Sequence, residues 1–205
     1  MENYAELMFH DAVQALQDKA GTRERYQTFY PHRTDPELTE DDIAFLTSRE
    51  SFYMATVTPD GWPYVQHRGG AAGFVRIVGP NRIACADYVG NKQFISMGNL
   101  ACDARVSLFF MDYGLKARLK LQGRACLTPW AEAEPALQEA VAGPGPQAER
   151  ILTVDVVARD WNCPKYIPNL YSEAALRDVV GPQIAKLQAE NARLKAQLAA
   201  LQDSM

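Results

Sequence analysis

Residues 52–68 read FYMATVTPDGWPYVQHR. Aromatic and β-branched side chains fill both halves, and Pro59-Asp60-Gly61 between them offers a tight turn in which glycine is free to take positive φ. The stretch predicts a β-hairpin, and the same pattern recurs downstream. Residues 74–78 and 82–86 flank Gly79-Pro80-Asn81, and 106–111 and 116–127 flank Asp112-Tyr113-Gly114. One more strand is expected over 151–157, after a helix at 130–142 and a GPGP break. Within 116–127, Leu119, Leu121, Gly123, Ala125 and Leu127 fall on one side, while Arg118, Lys120, Gln122 and Arg124 fall on the other. That is the period of a strand with one buried face. Six or seven antiparallel strands with short turns and few helices imply a mainly β, α+β chain closed or nearly closed into a barrel, since closure removes exposed strand edges.

Helices are expected around this β core. Residues 4–19 are amphipathic and end before Gly21; a second helix follows Thr39, with Asp42 at the third position of a capping box. A third covers 91–101, with Phe94, Ile95, Met97 and Leu100 on its buried side. From Ile184 the chain changes character: Ile184, Leu187, Leu194, Leu198 and Leu201 occupy a and d of a heptad, with Asn191 as the polar a residue. Glu190 at g and Lys195 at e are spaced for pairing across a parallel two-stranded coiled coil, and a buried Asn at a fixes that register. The division expected is residues 1–50 as helices packing on the barrel, 51–170 as the barrel, and 171–205 as a C-terminal helix forming a coiled coil in a homodimer.

The composition of the 205 residues, 47% hydrophobic, 22% charged and 10% aromatic, excludes disorder or a purely fibrous chain. A net charge of −4 disfavours a general nucleic-acid binder. The charge is nonetheless uneven: residues 60–124 hold nine Lys and Arg against four Asp. No apolar run is long enough to span a bilayer and the N-terminus lacks a leader pattern, so a cytoplasmic protein without a membrane segment is expected. The four cysteines, Cys85, Cys102, Cys126 and Cys163, form no C-x-x-C pair and signal neither zinc nor a redox dithiol.

Three features suit an anionic ligand: the basic strand face Arg118, Lys120, Gln122 and Arg124; the strand end Gln66-His67-Arg68-Gly69-Gly70; and Gly90-Asn91-Lys92 at a helix start. At the last, free amides and the positive end of the helix dipole would join the Lys92 charge in holding a phosphate. Beyond the last strand, Trp161-Asn162-Cys163-Pro164-Lys165-Tyr166-Ile167 admits two readings. Trp161 and Tyr166 could cover a planar ring while Asn162 bonds its edge, or the segment is a turn locking the barrel bottom with Cys163 inert.

The runs PYVQHRGG (63–70), ADYVGNKQ (86–93), Asn99 and ARLKLQG (117–123), in that order, resemble the pyridoxamine 5′-phosphate oxidase-like flavin-binding split barrels. The resemblance covers about residues 45–128. It implies a six-stranded antiparallel Greek-key barrel with FMN at a homodimer interface. It implies cofactor contacts at Gln66, His67, Arg68, Gly69, Asn91, Lys92 and Arg118, with Trp161, Asn162 and Cys163 as a substrate or ring cover. Gln66 stands where the family usually has Arg, Asn91 replaces one member of a basic pair, and Arg118 replaces a Gln. W-N-C-P segments are similar to those of bacterial flavin-barrel relatives of unassigned function. The chain ends in that segment and a heptad helix, where the pyridoxamine-phosphate oxidases carry a basic segment around an Arg and a His. The resemblance therefore implies an FMN-dependent oxidoreductase acting on another small molecule, with a reduced nicotinamide as electron donor. The alternatives are a deazaflavin in place of FMN, or a non-catalytic flavin or haem sensor with His67 or His32 as axial ligand.

Overall fold

The computed structural model describes residues 1–32, 37–143, 148–161, 165–171 and 173–202. The chain separates into two compact units, Met1–Asp112 with Ala117–Lys165, and Tyr113–Lys116 with Tyr166–Met205. In the first, strands β1 (Ser51–Val57), β2 (Pro63–Gly69), β3 (Arg76–Gly79), β4 (Arg82–Asp87), β5 (Arg105–Asp112), β6 (Ala117–Pro129) and β7 (Arg150–Trp161) form one antiparallel sheet in the order β2-β1-β5-β6-β7-β4-β3. The count is seven, one more than the six-stranded barrel that the resemblance implies. Both hairpins expected from the first half are present, β1 against β2 and β3 against β4, and Gly61 takes φ +86° in the first turn. The last strand runs to Trp161 rather than stopping at 157 because β6 pairs with it along its whole length, from Pro129↔Arg150 to Leu119↔Trp161.

Alternation decides which residues enter the core. Leu119, Leu121, Gly123 and Ala125 of β6 are buried, and Phe52, Met54, Leu108, Phe110, Leu152 and Val154 meet them from β1, β5 and β7. Each buried Leu, Val, Met or Phe among them contributes roughly 1.5–3 kcal/mol on removal from water. The Phe52 ring stacks on Phe110 at 4.8 Å and on Phe74 at 5.8 Å. At Gly123 the β6–β7 register shifts, and an added Cβ would lie 2.7 Å from the Asp155 carbonyl oxygen. A side chain at this bulge would force the two strands apart.

Helices α4 (Glu40–Thr47) and α5 (Ile95–Cys102) frame the sheet. The capping box at α4 forms as expected: Thr39 Oγ1 accepts from the Asp42 amide, and Asp42 Oδ2 accepts from the Thr39 amide at 2.8 Å. Asp42 is fully buried and also accepts from Arg159 at 3.0 Å and from the Trp161 indole N–H at 2.8 Å, which ties α4 to the end of β7. The expected single helix over 4–19 is two, α1 (Tyr4–Met8) and α2 (Asp11–Lys19), followed by α3 (Arg23–Phe29) and a 3₁₀ turn at Tyr30–His32. Phe9 leaves helical geometry between them, and its ring packs edge-on against Tyr26 and Tyr30. Tertiary aromatic packing overrides the local period there. The segment expected as a helix over 130–142 is a 3₁₀ turn at Trp130–Glu132 and helix α6 (Pro135–Val141).

In the second unit, α7 (Glu173–Gln202) is one continuous helix. The a and d residues Ile184, Leu187, Leu194, Leu198 and Leu201 are all exposed along it. None of the helices, among the described residues, is long and apolar enough to cross a membrane.

Burial distinguishes the described thiols. Cys102 and Cys126 are exposed, while Cys85 is buried and its thiol is pushed up from the ordinary 9.0 to about 12, chiefly by burial and against the pull of Arg68. A raised folded-state value favours folding below pH 9, and the contribution is lost as pH rises from about 9 to about 12. Alkylation at pH 8 followed by peptide mapping should modify Cys102 and Cys126 in the folded protein and Cys85 only in denaturant. Cys85 labelled at the rate of the other two would show that the core there is open.

Candidate functional site

Strand β2 alternates, so Tyr64, Gln66 and Arg68 face one way and Val65, His67 and Gly69 the other. The first set lines a cleft of about 510 Å³, open mouth included, completed by Asp87 and Tyr88, residues 90–97, Leu127, Glu149 and Arg150. Within it, Asp87 of β4 accepts from Arg68 Nη1 at 2.5 Å through one oxygen and from Arg150 Nε at 2.7 Å through the other. Strands β2 and β4 are not neighbours in the ladder, so the Arg68–Asp87 pair draws the free edge strand β2 round towards the opposite end of the sheet. Arg150 also pairs with Glu149 at 2.9 Å. Burial is the largest single influence and works against the Arg150 charge, yet Asp87, by hydrogen bond and charge, and Glu149 together outweigh it, so the net direction is upward.

Helix α5 is held across this cleft by two side-chain bonds. Ser96 Oγ donates to Gln66 Oε1 at 2.6 Å, and Asn99 Nδ2 donates to Thr56 Oγ1 at 2.9 Å in the interior. The helix begins at Ile95, so Asn91 and Lys92 precede it instead of starting it. Lys92 and Phe94 take positive φ, 58° and 55°, while Asn91 Oδ1 accepts from the Gln93 amide at 3.1 Å. No side chain caps the α5 N-terminus, where the first amides of a helix lack intrahelical partners. Lys92 is exposed and has no acidic partner among the described residues. Arg68 Nε is buried without a hydrogen-bond acceptor there. Three cations, Arg68, Lys92 and Arg150, face two carboxylates, Asp87 and Glu149, which leaves the cleft with a surplus positive charge.

Four of the expected residues, Gln66, Arg68, Asn91 and Lys92, therefore come together. The others do not line the cleft. His67 lies on the outer face of β2 with its ring edge-on to Tyr53 at 5.6 Å, and Gly69 ends the same strand opposite Ser51. Arg118 sits over Phe109 at 5.9 Å with a buried Nε that lacks an acceptor among the described residues. Lys120 of the basic face is paired with Asp160 at 3.0 Å and lies over the Tyr4 ring. Trp161 packs on Phe45 at 4.7 Å and gives its N–H to Asp42. Asn162 and Cys163 lie outside the described residues. Unanticipated members are Tyr64, which the alternation of β2 could have revealed, and Asp87, Glu149 and Arg150, which only the β4–β7 pairing Asp87↔Arg150 brings together.

The sequence pattern of the pyridoxamine 5′-phosphate oxidase family matches residues 38–159, which contain both the sheet and the cleft. The chain belongs to that family. The antiparallel split barrel with flanking helices and a C-terminal helix agrees with it. No match was found among curated proteins. Among solved structures, a putative pyridoxamine 5′-phosphate oxidase of Lactobacillus delbrueckii is 16% identical with a TM-score of 0.48, covering 62% of this chain and 96% of that one. HupZ of Group A Streptococcus is 12% identical with a TM-score of 0.45, covering 65% and 99%. A structure described as F420 reductase is 18% identical with a TM-score of 0.41, covering 57% and 94%.

The family barrel depends here on its carboxylate clamp. Asp87→Asn, which leaves two mostly buried guanidiniums without a counter-charge, should lower stability to urea by about 2–4 kcal/mol. Glu149→Gln, at a carboxylate that is 38% exposed, should change it by less than about 0.5 kcal/mol. Equal effects would mean that the clamp does not set the geometry of the cleft.

Proposed function

We propose that this chain binds FMN in the cleft between β2, β4 and the start of α5 and works as an FMN-dependent oxidoreductase on a small molecule other than pyridoxamine phosphate. The observation that carries the reading is the unpartnered donor set on one wall: Lys92, the buried Nε of Arg68 and the uncapped amides of α5. A phosphate monoester meets all three needs, since it brings negative charge and several acceptor oxygens to a helix N-terminus. Family membership supports the choice of a flavin.

When bound, FMN supplies the ring that takes up and releases the reducing equivalents; the protein supplies placement and electrostatics. Lys92 neutralises phosphate charge at the exposed end. Arg68, held by Asp87, keeps a fixed positive charge that favours electron uptake nearby. Gln66, whose oxygen is occupied by Ser96, has its amide nitrogen left as a donor. Tyr64 and Tyr88 give the cleft aromatic walls against which a planar group can pack.

The active form in this proposal is a homodimer with the flavin at the interface. The outer face of β1 and β2 supports it, because Tyr53, Val57 and Val65 are exposed there beside His67, and Trp62 is exposed in the turn that joins the two strands. The Arg118 Nε without an acceptor is a donor that a ligand reaching the interface could engage. Helix α7 adds a parallel coiled coil, aligned by Asn191. Removing residues after Pro182 should raise the dimer dissociation constant by about tenfold or more without releasing flavin. An unchanged constant in sedimentation equilibrium would show that the helix plays no part in pairing.

The first test of the cofactor is the visible spectrum of the purified protein with mass identification of the released ligand. Flavin bands and the FMN mass are expected, and dithionite should bleach them. Lys92→Glu should weaken FMN by at least about tenfold, or 1.4 kcal/mol, in a fluorescence titration at low salt. A Soret band, a deazaflavin mass, or full FMN affinity in the folded Lys92→Glu variant would each overturn this assignment.

A further inference from the structure

A second cavity lies apart from the cleft, among the N-terminal helices α1, α2 and α3. It has a volume of about 560 Å³ including its open mouth. One wall is an aromatic cluster: Phe9 meets Tyr26 at 5.6 Å and Tyr30 at 5.2 Å, and Tyr26 lies 6.0 Å from Tyr30. Tyr30 is fixed at both ends, its hydroxyl donating to Asp160 at 3.0 Å and its carbonyl accepting from Asn3 at 2.9 Å. The wall is therefore built in advance of any ligand.

The other wall carries Arg23. Its Nη2 donates to Gln14 Oε1 at 2.6 Å, while Gln14 Nε2 donates to the Phe9 carbonyl at 2.5 Å, so the amide is locked with its oxygen towards the guanidinium. The neighbouring Arg23 Nη1 is buried and has no acceptor among the described residues. A guanidinium does not lose its proton, so this N–H stays a charged donor, and a buried donor without an acceptor is costly. Arg23 lines the cavity, so an anion that enters it meets the guanidinium charge. A carboxylate matches the guanidinium fork in shape. Glu6, exposed in the same lining, adds a negative charge that opposes a dianion.

We propose that this cavity is a binding site for a small aromatic monocarboxylate, with the carboxylate on Arg23 and the ring against Phe9, Tyr26 and Tyr30. Nothing in the flavin reading depends on it, since it shares no lining residue with the cleft. Such a site gives the N-terminal helices a ligand of their own, a substrate carrier or effector of the barrel.

The test is calorimetric titration of the full-length protein with benzoate, benzamide, acetate and phenyl phosphate. Saturable one-to-one binding of benzoate is expected, with each of the other three weaker by about tenfold or more. Arg23→Gln should lose benzoate by a similar factor while keeping its far-UV spectrum and its flavin content. The comparison of benzoate with benzamide on the unaltered protein reads the charge requirement even if that variant fails to fold. Benzamide binding as tightly as benzoate, acetate matching it, phenyl phosphate exceeding it, or no saturable benzoate binding would each overturn the proposal.

Discussion

Asp87 is shared by two guanidiniums that come from different parts of the sheet, and the cleft exists because of that sharing. Arg150 is its partner across the β4–β7 ladder; Arg68 comes from β2, at the far end of the strand order. Without a carboxylate between them, two mostly buried cations would repel at close range, and the desolvation of each would go uncompensated. With it, the edge strand β2 is drawn in. Its inward residues Tyr64, Gln66 and Arg68 then face the start of α5 instead of solvent. Hydrogen bonds from Ser96 to Gln66 and from Asn99 to Thr56 fix the helix on the same strands, so cleft width and sheet curvature are set by one network.

A second buried carboxylate does for the opposite end what Asp87 does for the cleft. Asp42 caps its own helix and receives Arg159 and Trp161, so α4 and the terminal residues of β7 are placed by one fully buried group. Trp161 thus has a structural partner for both its ring and its N–H. The side chain that looks most like a ring cover in the sequence is a brace.

The hairpins, the capping box at Thr39 and the buried side of β6 were legible because each rests on short-range rules: period two, a glycine with positive φ in a turn, a hydroxyl three residues from a carboxylate. The lower half of the site was legible for the same reason, since Asn91 and Lys92 lie next to a helix and Gln66 and Arg68 two apart on a strand. What escaped the sequence depends on pairing between distant segments. Asp87 and Arg150 are 63 residues apart and meet only through a strand register. The break at Phe9 is set by the rings of Tyr26 and Tyr30, which helix periodicity does not describe. His67 and Arg68, adjacent in sequence, were bound to part, because neighbouring side chains of a strand point to opposite faces.

The same pairing changes what the local excess of positive charge means. Nine basic residues between 60 and 124 suggest a strongly attracting surface, yet four of them are paired with an acid, two of these across a ladder. Arg68 has Asp87, Arg105 has Asp103, Arg82 has Asp155 and Lys120 has Asp160, the last two acids belonging to β7. Strand β7, from outside the basic stretch, thus brings two of these four acids to it. In the cleft, the attraction left for an anion comes from Lys92, from Arg68 and from the N-terminus of α5. Donors gathered in one cleft suit a small anion better than a polymer, which a continuous basic stripe would favour. The fold thus narrows a charge bias that suggests an anionic ligand to one cleft of a chain whose net charge is −4.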